Sequence, residues 1–232
     1  MSLGAGETTV MRMVTAYSML ANGGRRIKPT LIDRIQDRWG KTIFRHDERV
    51  CQGCSQPKWS DQPEPKLVDK REQVLDPLTA YQITSIMEGV VTRGTAQVIR
   101  EVGKHIAGKT GTTNDAKDVW FVGFSPDLAV GVFMGYDRPR SLGDSATAGQ
   151  YAAPIFRDFM KVALKDKPDT PFRVPAGVKL ISVDAKSGMR SSGAGAILEA
   201  FKPGTAPPDS YSILGDGSPR SLSVTPDADR AI

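Results

Sequence analysis

The chain has 232 residues, 39% of them apolar and 25% charged, which suits one sizeable domain with an extension and excludes a wholly disordered polypeptide. Its net charge of +5 comes from 31 basic residues interleaved with 26 acidic ones, with no basic block longer than a pair, so no nucleic-acid partner is expected. No apolar run approaches the ~20 residues of a membrane span, and no signal peptide is present.

Met1-Ser2-Leu3 reads as a remnant of an expression vector and is set aside from the fold. The first element is an amphipathic helix over residues 7–21, with Val10, Met13, Val14, Tyr17 and Leu20 at helical spacing. Thr8 or Thr9 can cap it, and Asn22-Gly23-Gly24 supplies a left-handed stop. A hairpin follows, LIDRIQD and TIFRH around a turn at Arg38–Lys41. Residues 47–73 read as a polar, proline-bearing loop insertion.

That insertion holds the two cysteines, Cys51 and Cys54. Zinc needs about four ligands, and of the two histidines only His46 is near, so no metal site is expected. A redox pair of the thioredoxin type needs a strand before it and a helix after it, whereas HDERV and SQPKWSDQPEP read as loop. A loop-stapling disulfide is the leading reading and implies an oxidising compartment; two reduced surface thiols are the alternative.

A second helix is predicted over residues 76–92, with Asp76 as cap, Pro77 at the first helical position and Arg93-Gly94 as its end. Leu78, Tyr81, Met87 and Val90 form its stripe, widened by Ile83 and Ile86. The period then becomes extended: Lys104–Thr113, Val119–Phe124 and Leu128–Tyr136 read as three strands, the last two joined by the tight turn Ser125-Pro126-Asp127. VWFVGF is apolar on both alternating faces and so requires cover on both sides. A third helix, about 153–164, offers Ile155, Phe156, Phe159, Met160 and Ala163 for it. The expected fold class is α+β, an antiparallel sheet with helices packed on it. Residues 168–232 form a C-terminal extension with one short strand in VKLISV, and from about 202 a Pro-, Gly- and Ser-rich tail poor in apolar surface.

Two chemistries compete for Lys109. Gly103 to Thr110 fits the phosphate-loop pattern letter for letter, with Val98–Val102 as the strand it requires. A phosphate loop also needs a helix beginning at its Lys-Thr pair, and Gly111-Thr112-Thr113-Asn114-Asp115 opposes one. The other reading places Lys109-Thr110-Gly111-Thr112 on a strand, with Lys109 and Gly111 on one face and the threonines on the other. Such a segment offers positive charge and hydroxyl donors to a carboxylate, and Gly111 lets a ligand backbone lie close. The tripeptide Lys-Thr-Gly accompanies Ser-x-x-Lys and Ser-x-Asn in serine acyl-transfer enzymes of this kind.

Over about Gly4 to Lys165 the chain resembles the C-terminal part of the transpeptidase domain of class A (bifunctional) penicillin-binding proteins. The resemblance rests on ETTVMRMVTAYSMLANGG, LDPLTAYQITSIMEGVVTRGTA, IAGKTGTTNDAKDVWFVGFSPDLAVGVFMGYD and AAPIFRDFM. It implies a D,D-transpeptidase that cross-links peptidoglycan stem peptides through a serine acyl-enzyme and takes β-lactams as mimics of D-Ala–D-Ala. It implies no cofactor, and a location on the outer, periplasmic side of the cytoplasmic membrane. Lys109 then matches a lysine of the proton-transfer network. Thr110 and Thr112 match hydroxyls that hold the terminal carboxylate, Gly111 and Thr113 complete the substrate strand, and the Thr112 N–H matches an oxyanion donor.

The sequence departs from the family in lacking Ser-x-Asn; its only asparagines are Asn22 and Asn114. Its one Ser-x-x-Lys, Ser55 to Lys58, falls in the polar loop, not at the start of a buried helix, and is a poor nucleophile there. The nucleophile, the membrane anchor and a glycosyltransferase domain are therefore expected upstream of Gly4, with the chain inactive by itself. A non-catalytic cell-envelope interaction module is the alternative function, and a phosphate-loop nucleotide binder the remote one.

Overall fold

The computed structural model describes residues 6–47, 49–52, 54, 58, 60, 61 and 66–208. Helix α1 (Val10–Ala21) begins where the Thr9 hydroxyl accepts from the Arg12 amide, at the first residue of its apolar spacing and later than the predicted start at residue 7. Gly23 and Gly24 follow with φ of 76° and 89°, and a Cβ on Gly24 would lie 2.2 Å from the Leu75 carbonyl oxygen. The hairpin comprises β1 (Arg34–Gln36) and β2 (Thr42–Arg45), shorter than predicted, and the Asp37 carboxylate accepts from the amides of Trp39 and Lys41 in its turn.

The predicted polar loop is only partly irregular. Within it β3 (Val50–Gln52) pairs antiparallel with β4 (Lys66–Val68), with Cys51 opposite Leu67. Strands of three residues are too short to leave a periodicity to read. Cys51 and Cys54 are joined as a disulfide, with Cα atoms 5.6 Å apart. Ser55, Gln56 and Pro57 lie outside the described residues.

Helix α2 (Pro77–Thr92) is capped by the Asp76 carboxylate, which accepts from the Thr79 amide, with Pro77 at its start. Its buried line is Ala80, Thr84, Met87 and Val91; of the predicted stripe Met87 is buried and Tyr81, Ile83 and Val90 pack partly buried against the core, whereas Ile86 is 60% exposed. Thr84 can be buried because its hydroxyl donates to the Ala80 carbonyl at 2.9 Å. Residues Gln97–Val102 then turn as a 3-10 helix that ends in Gly103 at φ 68°.

The sheet consists of β5 (Ala107–Thr112), β6 (Asp118–Phe124) and β7 (Ala129–Gly135), all antiparallel, with β6 in the middle. Lys109 is therefore on a strand, and Val98–Val102 is helical. Both are the reverse of what a phosphate loop needs, and that reading is overturned. β5 starts at Ala107 and not at Lys104, because Lys104 Nζ and the His105 amide bond across to Lys167 O and Asp169 Oδ1.

β6 is covered on both faces, as its doubly apolar sequence requires. α1 and α2 cover one, where Tyr17, Leu20 and Met87 surround Ala107 and Phe124. Helix α3 (Ala152–Ala163) and the 3-10 helix cover the other, where Phe156, Met160 and Ile99 surround Val119 and Phe121. Phe121 and Phe156 meet edge-on at 4.7 Å between centroids. Ile155 and Phe159 of α3, expected in the core, are half exposed, and Ala152 and Ala153 take the close positions instead.

The C-terminal extension supplies a second antiparallel pair, β8 (Lys179–Asp184) and β9 (Ala196–Phe201). β9 packs along α2, where Gln82 Nε2 donates to Ala200 O at 2.9 Å and Arg93 pairs with Glu199 at 2.5 Å. Sequence periodicity gave β8 and missed β9, and residues beyond 208 lie outside the described residues.

Candidate functional site

β5 pairs on one side with β6 and, among the described residues, with nothing on the other. Alternate N–H and C=O groups of such an edge strand point outward, ready for an extended ligand. In register, Lys109 lies opposite Val122, Thr110 opposite Phe121, Gly111 opposite Trp120 and Thr112 opposite Val119. Alternation therefore puts Lys109 and Gly111 on the face covered by α1 and α2, and both threonines on the α3 face, as predicted.

The hydroxyls are held by residues that give no sequence signal. Thr110 Oγ1 lies 2.8 Å from Thr95 Oγ1, just beyond the end of α2. Thr112 Oγ1 accepts from the Ala148 amide at 3.1 Å, which leaves its own proton free to donate. Lys109 Nζ bends back to donate to Thr110 O at 2.8 Å and to Thr110 Oγ1 at 3.3 Å. Among the described residues it has no carboxylate partner. An exposed ammonium beside two oriented hydroxyls is a carboxylate-binding arrangement.

Gly111 and Gly108 differ in why they lack a side chain. A Cβ at Gly108 would meet Phe121 Cζ at 2.5 Å, so internal packing requires that glycine. A Cβ at Gly111 would meet only Trp120 Cβ at 3.5 Å, an ordinary contact. Among the described residues nothing demands glycine at 111; space for an external ligand would.

Thr113, predicted as part of the substrate strand, is placed otherwise. Its hydroxyl accepts from the Asp118 amide at 2.8 Å and its own amide donates to Asp118 O at 3.0 Å, closing the connection from β5 to β6. That connection holds Asp115 and Ala116 at φ of 60° and 48°, a costly backbone beside the strand end. A cleft of about 730 Å³ lies elsewhere, between Leu20–Gly23, Tyr81, Thr84 and Phe172–Ala176, and includes none of the Lys-Thr-Gly residues. Among the described residues no group of His, Cys, Asp and Glu could hold a metal ion, and no helix is long and apolar enough to cross a membrane.

Comparison with known proteins places this geometry in a family. Residues 1–161 match the model of the penicillin binding protein transpeptidase domain. The chain is 48% identical over 205 residues to a protein from Rickettsia bellii named penicillin-binding protein 1A, and 46% identical over 204 residues to its namesake from Rickettsia conorii. Each alignment takes in 87% of this chain but 26% of the relative, so the chain spans about a quarter of their length. The crystal structure of penicillin-binding protein 1A from Haemophilus influenzae superposes with a TM-score of 0.74 at 29% identity, covering 91% of this chain and 34% of that one. With its Lys-Thr-Gly segment on the edge strand of a helix-covered antiparallel sheet, this chain belongs to the penicillin-binding protein transpeptidase family.

Proposed function

We propose that this chain is the substrate-binding wall of a peptidoglycan D,D-transpeptidase, and that the serine nucleophile and the Ser-x-Asn segment belong to a longer polypeptide that contains it. The observation that carries this reading is β5 itself: an edge strand with two oriented hydroxyls, an exposed ammonium that has no carboxylate partner among the described residues, and a glycine that their packing does not require. A stem peptide ending in D-Ala–D-Ala would lie along that edge, its terminal carboxylate taken by Thr110 and Thr112 and its backbone beside Gly111.

The serine oxygen then attacks the carbonyl of the D-Ala–D-Ala bond. Lys109 supports the groups that pass the serine proton to the leaving amine, D-alanine departs, and an amine of a second stem peptide attacks the acyl-enzyme. The Thr112 N–H stabilises the developing oxyanion, a contribution worth about 3–4 kcal/mol of barrier per donor. No step needs a cofactor. A β-lactam presents the same carboxylate and acyl carbon and stalls at the acyl-enzyme. The substrate places the reaction on the periplasmic face of the membrane, with attachment through a region N-terminal to this chain. A disulfide at Cys51 and Cys54 is compatible with that oxidising compartment.

Release of D-alanine from a D-Ala–D-Ala-terminated stem peptide by the full-length protein tests the assignment. Lys109→Ala is expected to slow release by about a hundredfold or more. A loss of only a few-fold would remove Lys109 from the proton-transfer network. A second reading, a non-catalytic interaction module, draws on the β1–β2 region, where Leu31 is 94% and Trp39 81% exposed. Absence of any D-alanine release from the full-length protein would favour it.

A further inference from the structure

We infer that Thr95 is a positioning residue for Thr110, directing the Thr110 hydroxyl toward the carboxylate of the bound substrate. This deepens the proposed function and rests on it. The two hydroxyl oxygens lie 2.8 Å apart. A threonine hydroxyl has one proton and two lone pairs. Lys109 Nζ already donates toward Thr110 Oγ1 at 3.3 Å. If Thr95 donates to the remaining lone pair, both acceptor positions are filled and the Thr110 proton points outward to an anion. Without Thr95 the hydroxyl can rotate and turn a lone pair toward that anion instead.

Thr95 is fixed well enough to do this. It sits between Gly94, where a Cβ would lie 2.7 Å from Val90 Cα, and Ala96, which is fully buried with its amide bonded to Val90 O at 3.1 Å. Its carbonyl lies so close to Gly149 that a Cβ there would approach within 2.6 Å. The neighbouring Ala148 amide is the group that orients the Thr112 hydroxyl. One packed unit, the end of α2 against residues 147–149, thus sets both hydroxyls.

The test compares acylation of the full-length protein by benzylpenicillin and by its methyl ester, which lacks the carboxylate. Thr95→Val is expected to lower the ratio of the two second-order rates about tenfold, the effect of one lost hydrogen bond to a charged group. Thr95→Ser, which keeps the hydroxyl, should restore the ratio, and thermal stability should be similar in both variants. An unchanged ratio in Thr95→Val, or a ratio in Thr95→Ser as low as in Thr95→Val, would overturn the inference. Thr110→Val separates the two levels. If its ratio falls while that of Thr95→Val does not, only the role of Thr95 fails; if it too is unchanged, the carboxylate role of the strand fails as well.

Discussion

Gly108 and Gly111 stand three residues apart on β5, and packing explains only the first. Gly108→Ala forces a methyl into Phe121 and the Gly123 backbone, which should destabilise the fold by about 1–3 kcal/mol. Gly111→Ala meets no such obstacle, so its stability should change by about 0.5 kcal/mol or less while acylation of the full-length protein by penicillin slows. Chemical denaturation and acylation kinetics on the two variants check this; equal destabilisation by both would remove the distinction. The strand was legible at this scale because Lys-Thr-Gly-Thr is contiguous and alternation assigns its faces. Thr95 and Ala148 were not, since they reach it from 15 and 36 residues away and nothing local marks them. Thr113 looked like a continuation of the motif, but the need to close the 113–118 connection uses its hydroxyl.

At the level of elements, caps and periods carried furthest. Thr9, Asp76-Pro77 and the doubly apolar VWFVGF located α1, α2 and β6 because each acts on its immediate neighbours. The buried faces of α2 and α3 were harder. Both helices have apolar residues on more than one side, and the buried faces combine small residues, Ala80 and Thr84 in one and Ala152 and Ala153 in the other, with Met87, Phe156 and Met160. β9 escaped because AILEAF follows a Gly- and Ser-rich turn and gains its strand character by pairing with β8 and packing on α2. One consequence of helix burial concerns pH. Burial raises the Glu88 carboxyl above the ordinary glutamate range, partly offset by the His105 ring 3.2 Å away. A carboxyl raised on folding binds more protons in the folded state, so its contribution to stability falls as pH rises from the ordinary glutamate value through the raised one. The melting temperature of Glu88→Gln relative to wild type should therefore climb across that window. A difference that stays flat from about pH 4 to about pH 7 would contradict the assignment.

For the molecule as a whole, the helix-covered sheet and the edge strand are one body, and the C-terminal extension docks onto it along α2. Lys202 pairs with Asp76 at 3.3 Å, Glu199 with Arg93, and Gln82 with the β9 backbone. The extension thus touches both ends of the helix that leads into Thr95, a relation that composition could not reveal. The chain carries Lys-Thr-Gly on β5 and contains no Ser-x-Asn, and its one Ser-x-x-Lys starts at Ser55, so the proposed function assigns the nucleophile to another part of a longer protein. The central claim, that this chain provides the carboxylate-binding wall and another part of a longer protein provides the serine, is tested most directly by intact-mass spectrometry after incubation with penicillin. The full-length protein should gain one penicilloyl group and the 232-residue chain alone should gain none. A stable penicilloyl adduct on the chain alone, or none on the full-length protein, would contradict it.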